Sequence, residues 1–170
     1  MLHLVFLAFL ADSAHADEAL RARVIGLLSG IESSPTAADW AALGPGAADE
    51  LFAVATDPVA LPTQRGNALL ALGNFPSPAA RDLLTATLGA SSVDPLLRRK
   101  SALGLARGWG GAAVPTLSAA LTDTDVQVRM SVVRALSELD DEGAREALRA
   151  RLATEPDAAV RKLLVAGVSP

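Results

Sequence analysis

Two histidines and no cysteine limit the chemistry available to this 170-residue chain. His3 and His15 both lie within residues 1–16, which have the pattern of a secretory leader and which we expect to be removed. The remaining chain would have no imidazole base, no thiolate nucleophile and neither of the residues that bind most zinc ions. Catalysis by carboxylates alone stays open, but the sequence favours a binding protein over an enzyme, and it predicts no cofactor.

The densest group of carboxylates is Glu138, Asp140, Asp141 and Glu142. Such a cluster could contact a cation or a basic partner. It could instead form a solvated turn in which Asp141 and Glu142 stabilise the N-terminus of the next helix. The turn is the favoured interpretation, because calcium-binding loops need a defined order of ligands. The sequence therefore predicts no metal site.

Four arginines recur at nearly constant spacing: Arg65, Arg98, Arg129 and Arg161 are 33, 31 and 32 residues apart. They could form an anion-binding stripe. An aspartate also stands four residues before each of the last three arginines, at Asp94, Asp125 and Asp157. That position suits both a helix N-cap and an ion pair with the arginine. The sequence favours a structural Asp–Arg network between units, and the four arginines remain candidate contacts for a protein partner.

Two tryptophans differ in their sequence context. Trp109 lies in the glycine-rich turn 108–111, where a large side chain is hard to bury, and tryptophan is common at binding hot spots. It could equally be a lid over the adjacent core. Trp40 is predicted to be a core residue. We therefore take Trp109 as the best single candidate for a partner contact.

The arginine spacing defines a repeating unit with a regular apolar pattern. Residues one before, three after and seven after each arginine lie on one helix face, because they are four apart. These positions hold Gln64, Ala68, Leu72, Leu97, Ser101, Leu105, Val128, Val132, Leu136, Val160, Leu164 and Val168. Turn residues separate these helices from a preceding set, predicted at 46–55, 78–88, 112–121 and 142–153. The unit is therefore helix, turn, helix.

The cadence V-R-x-x-V-x-x-A-L at residues 128–136 resembles that of HEAT repeats, and in particular the short HEAT-like repeats of phycobilisome lyases. The resemblance covers about residues 45–168 and implies a helical solenoid that binds proteins. A role in bilin attachment or as a chaperone-like accessory protein is implied by the resemblance alone, and the lack of Cys and His does not support it. Tetratricopeptide and ankyrin repeats have similar periods, but their signature residues are absent.

The first sixteen residues predict a signal peptide, since an apolar run is followed by Ala14-His15-Ala16, a pattern that signal peptidase accepts. The alternative is an N-terminal helix that packs on the solenoid. The apolar run is too short to span a bilayer, so we expect no stable membrane insertion. The protein would be periplasmic or secreted if the leader is cleaved, and otherwise cytoplasmic. Residues 17–44 are predicted to form N-terminal capping helices.

Composition supports an all-helical fold, because hydrophobic residues make up 51% of the chain and aromatic residues only 4%. We predict an all-α solenoid of about four antiparallel helix pairs over residues 45–170, acting as a non-enzymatic scaffold or adaptor for an unidentified protein. Nucleic-acid binding is the remaining alternative, but a net charge of -4 with dispersed arginines argues against it. The apolar C-terminal helix predicts possible self-association.

Overall fold

The computed structural model describes residues 17–30 and 35–168, and in these ranges every regular element is a helix. Two helices come first: α1 covers residues 17–29 and α2 is Ala37–Ala41. Four helix pairs follow: α3 (Ala47–Thr56) with α4 (Pro62–Ala71), α5 (Pro78–Gly89) with α6 (Pro95–Trp109), α7 (Val114–Ala120) with α8 (Val126–Ser137), and α9 (Glu142–Leu152) with α10 (Ala158–Val168). We call these pairs units 1 to 4. The predicted all-α solenoid is confirmed.

Most helices begin where a short polar side chain satisfies free backbone N–H groups. Asp94 accepts a hydrogen bond from the N–H of Leu96 at 2.8 Å, and Asp125 accepts one from Val128 at 3.0 Å. Asp157 does the same for the first turn of α10. The three aspartates that precede the arginines are therefore helix N-caps, as predicted.

The helices form two layers. The second helices of successive units lie side by side, with α4 on α6, α6 on α8 and α8 on α10. The first helices form the other layer, where α5 contacts α7 and α7 contacts α9. The predicted buried face of the second helices is confirmed: Leu105, Val132 and Leu164 are all at most 1% exposed.

One continuous apolar core runs through all four units and into the N-terminal helices. Leu51, Leu84, Leu117 and Leu148 come from the first helices, and each is completely buried. Val24, Leu28 and Trp40 from α1 and α2 join the same core. Burial of one leucine side chain stabilises the fold by about 2 kcal/mol. The prediction that Trp40 is a core residue is confirmed, since it is 3% exposed.

The predicted first helices agree with the structure to within one residue, except in unit 3. There the expected helix 112–121 is divided into a short 3-10 helix, Gly110–Ala113, and the seven-residue α7. The reason is local: Gly110 has a positive φ of 51°, and Pro115 stands in the first turn of α7. Proline fixes its own φ and has no N–H to donate, so it suits a helix start.

Glycine allows α4 and α6 to approach very closely. A Cβ atom on Gly104 would lie 2.7 Å from the carbonyl oxygen of Leu69, and one on Gly73 would lie 2.6 Å from the carbonyl oxygen of Gly104. Both distances are shorter than van der Waals contact permits. The corresponding position of α8 is Ala135, which is fully buried, and that of α10 is Gly167, which is tightly packed against Ser137.

None of the helices among the described residues is both long enough and apolar enough to cross a membrane. The predicted signal peptide at residues 1–16 lies outside the described ranges. It therefore stays a prediction.

Candidate protein-binding surface

The arginines of units 2 and 3 connect successive units through carboxylates that precede the N-caps. Arg98 forms an ion pair with Asp123, in the turn of unit 3. Arg129 binds Glu155, in the turn of unit 4, through two hydrogen bonds of 3.1 and 2.8 Å. All four side chains are at least nine-tenths buried. These arginines are therefore part of the internal structure of the solenoid.

The same row of arginines also holds the turns of its own units. Arg129 donates to the carbonyl oxygens of Asp123 and Thr124, and Arg161 donates to those of Glu155 and Pro156. We call this set of contacts the arginine ladder. It fixes the turns of units 3 and 4 both to the helix that follows each turn and to the preceding unit.

The predicted structural network exists, but the predicted partners were wrong. Arg98 was expected to pair with Asp94 and Arg129 with Asp125, whereas their carboxylate partners are Asp123 and Glu155. The physical reason is that the N-cap aspartates already accept hydrogen bonds from the first helical turn. The arginine side chains instead reach the acid that stands two residues before the N-cap of the next unit.

Glu155 has the largest number of partners in the arginine ladder. Its side chain is completely buried and also receives two hydrogen bonds from Arg151, at 2.9 and 2.7 Å. The pKa of this carboxyl falls to about 2: burial alone would raise it, but the hydrogen bonds from Arg129, Asp157 and Arg151 outweigh that effect. The sequence analysis missed Glu155. Its signal was an acid two residues before the N-cap, present in units 3 and 4 only.

The ladder is incomplete at its N-terminal end. The position of Asp123 and Glu155 is occupied by Ser92 in unit 2 and by Val59 in unit 1. Arg65 is partly buried, and its hydrogen bond is a long one of 3.4 Å to the carbonyl oxygen of Ala55. The junction between units 1 and 2 therefore lacks the buried ion pair that is present at the next two junctions.

Trp109 does not lie beside the arginine ladder. It ends α6, whereas Arg98 is in the first turn of that helix, and eleven residues of helix separate them by about 16 Å. The Trp109 side chain is partly buried and packs against the core. The structure thus places the predicted contact residues at opposite ends of the second helices.

A groove crosses the second helices near their C-terminal ends. Its volume is about 400 Å³, and it is lined by Leu70, Leu103, Ala106, Arg107, Glu138 and Leu139. We call it the second-helix groove. Leu70 and Leu103 occupy the same position of their units, five residues after the arginine, so repetition of the fold places them side by side. Sequence analysis missed this surface.

Four cations near this groove form no ion pair among the residues that the structure describes. Arg99 donates to the hydroxyl of Ser131, and Lys100 donates to Asn67. Arg107 and Arg134 are exposed, and within the described ranges neither forms an ion pair. The pKa of Lys100 is lowered first by burial and then by repulsion from Arg99 and Arg107, so these three cations lie near one another.

Around α9, by contrast, the charges neutralise one another. Arg145 pairs with Asp140 and Glu142, and Arg149 pairs with Glu142. Asp141 caps α9 by accepting from Ala144 at 2.9 Å. Among the residues that the structure describes, no group of carboxylates has the arrangement of a metal site. The acidic cluster is thus a capped turn with local ion pairs.

Two family models match the chain. The model described as HEAT repeats matches residues 89–168, and the model described as PBS lyase HEAT-like repeat matches residues 64–90. No curated protein matches it. Together the two family matches cover residues 64–168, which include α4 to α10. With its helix pairs and its row of arginines, the chain is a HEAT repeat protein.

Proposed function

We propose that this protein is a non-enzymatic interaction scaffold that binds a protein partner in the second-helix groove. HEAT repeat families are generally scaffolds of this kind. The observation that carries the proposal is the groove itself, where three partly exposed leucines lie beside Arg107, an arginine without an ion pair among the described residues. Apolar side chains in a concave, partly charged surface are typical of protein contacts.

The rigidity of the solenoid supports this role. The groove is formed by side chains from three second helices that rest on one continuous core. A surface that exists before binding loses little conformational entropy when a partner docks. A partner would therefore meet a pre-formed site.

The arginine ladder contributes to this function by maintaining the shape of the solenoid. Arg98 is 3% exposed and Arg129 is 6% exposed, and both guanidinium groups are paired internally. The proposed contact therefore uses Leu103 and Arg107 rather than the buried arginines. Trp109 lies near the groove at the end of α6 and remains a hypothesis for an additional contact.

Site-specific photo-cross-linking tests the proposal. A photoreactive amino acid replaces Leu103, in the groove, or Ala150, which is exposed on α9. In cells that produce the protein, we expect one polypeptide to cross-link at position 103 and not at position 150. Cross-linking of the same polypeptides at both positions, or at position 150 alone, would contradict the proposal.

We also propose export, on the basis of the sequence of residues 1–16. The order of an apolar run and a small-x-small motif supports removal of a signal peptide. N-terminal sequencing of the protein purified from its own cells tests this. We expect the mature chain to begin at Asp17, whereas a chain that begins at Met1 would favour the cytoplasm.

A further inference from the structure

The second helices α6 and α8 carry an excess of cations beside the second-helix groove. Lys100, Leu103 and Arg107 lie on one face of α6, because they are three and four residues apart. Arg134 occupies on α8 the position that Leu103 has on α6. Against these cations and Arg99, the groove contributes one carboxylate, that of Glu138. The lining itself holds Arg107 and Glu138, and the excess of positive charge comes from Arg99, Lys100 and Arg134 on the helices beside it.

From this arrangement we infer that the second-helix groove binds an acidic protein segment that carries apolar residues. The inference rests on the proposed function and specifies the chemistry of the partner. The whole chain has a formal net charge of -4, so an acidic partner is repelled by most of the surface and attracted to this part of it. Such an uneven charge distribution directs both the position and the orientation of docking.

The apolar residues indicate a protein rather than a nucleic acid. Leu70, Leu103 and Leu139 offer side chains that can bury leucine or phenylalanine from a partner. Nucleic acids are held instead by many phosphate contacts or by stacking on aromatic rings. The groove has three leucines and no aromatic residue on which bases could stack. A peptide with acidic and apolar residues matches both the cations and the leucines of this surface.

The size of the groove sets the length of the segment. Neighbouring helices pack about 10 Å apart, so the distance from α4 across α6 to α8 is about 20 Å. That distance corresponds to about thirteen residues of helix or about six residues of extended chain. The bound segment is therefore short enough to be a single helix or loop of the partner.

Selection from a peptide library tests this inference with the full chain. The probe is a displayed library of random 15-residue peptides, and the selected peptides are then measured against two variants by fluorescence anisotropy. Arg107→Glu reverses a charge in the groove. Arg149→Glu makes the same change on α9, where the residue is also exposed, and serves as the matched control.

We expect the selected peptides to carry several Asp or Glu residues together with Leu or Phe. Arg107→Glu should weaken their binding at least about 10-fold, whereas Arg149→Glu should change it less than about 2-fold; higher salt should weaken it further. Selected peptides that are neutral or basic but lose binding in Leu103→Ser would overturn the acidic chemistry and leave the proposed groove intact. Failure to select any peptide would overturn both the acidic chemistry and the proposed groove. Selection of peptides whose binding is unchanged by Arg107→Glu and by Leu103→Ser would do the same.

A 15-nucleotide single-stranded RNA is the second probe. Binding of this RNA as tight as that of the selected peptides, with the same loss in Arg107→Glu, would overturn the assignment to a protein segment. Circular dichroism of each variant verifies that the fold is retained.

Discussion

Arg129 and Arg107 lie on neighbouring second helices, but their surroundings differ. Arg129 is 6% exposed, and its guanidinium group binds Glu155 and two backbone carbonyl groups. Arg107 is exposed, forms no ion pair among the described residues and lines a groove with three leucines. A buried arginine with all its charge neutralised can stabilise the fold, while an unpaired exposed one is free to contact a partner. Both residues are arginines, so residue type alone does not show whether an arginine stabilises the fold or contacts a partner.

Glu155→Gln should produce the largest effect, because it leaves Arg129 buried without a carboxylate. We expect a loss of about 3 kcal/mol in the free energy of unfolding, in the range found when one member of a buried ion pair is removed. Urea denaturation followed by circular dichroism measures it. The control is Glu142→Gln, which removes exposed ion pairs of α9 and should change stability little. Equal losses of stability in the two variants would contradict the distinction between buried and exposed ion pairs.

Acid should remove the same stabilisation. The folded-state pKa of Glu155 is about 2, below the value of about 4.3 for glutamate in an unfolded chain. Its contribution is therefore complete above about pH 4.3 and is lost as the pH falls towards 2. Unfolding measured between pH 6 and pH 2 should show a difference between wild type and Glu155→Gln that shrinks over this window. A difference that stays constant with pH would argue against the low pKa.

Ser92→Asp should extend the arginine ladder to the first junction. The new carboxylate would take the position of Asp123 and Glu155 and could pair with Arg65, which is only partly buried. We expect a gain of about 0.5–1 kcal/mol in the free energy of unfolding, measured in urea. In the Arg65→Ala background the gain should disappear. A gain of the same size in both backgrounds would mean that the new acid acts on something else.

Arg107→Glu should have the smallest effect on stability. The side chain is exposed and pairs with no carboxylate in the described part of the chain, so its reversal should change the free energy of unfolding by less than about 0.5 kcal/mol. The same urea titration measures it. A loss above about 1 kcal/mol would show that Arg107 belongs to the structural arginines instead.

Much of the fold could be predicted from the sequence because the repeat is local. Apolar residues four positions apart on one helix face, an N-cap aspartate and a polar turn recur at nearly fixed spacing. Each of these features depends on neighbours within one helix pair. Val128, Val132 and Leu136 are buried as expected, and Asp125 caps α8. Among the first helices, only that of unit 3 differed from the prediction, because Gly110 and Pro115 shorten it.

The ion-pair partners could not be predicted in the same way, because they join different units. The sequence gives the distance from Asp125 to Arg129 along one helix, but not the offset between one helix pair and the next. That offset brings Glu155 to Arg129 across 26 residues. The second-helix groove was missed for a related reason. Leu70 and Leu103 form one surface only after α4 and α6 pack side by side, although aligning the fifth residue after each arginine would have indicated it.

The glycines of the second helices also determine how closely neighbouring units can pack. Gly104 packs against the backbone of α4 and Gly167 packs against the side chain of Ser137, so unit 1 lies close to unit 2 and unit 3 lies close to unit 4. At the middle junction the corresponding residue is Ala135, which is fully buried, and the buried ion pair of Arg98 with Asp123 joins the two units there. The second-helix groove crosses this junction, from Leu103 on α6 to Leu139 after α8. Close packing at the outer junctions and the ion pair at the middle one therefore keep the groove at one width before a partner binds.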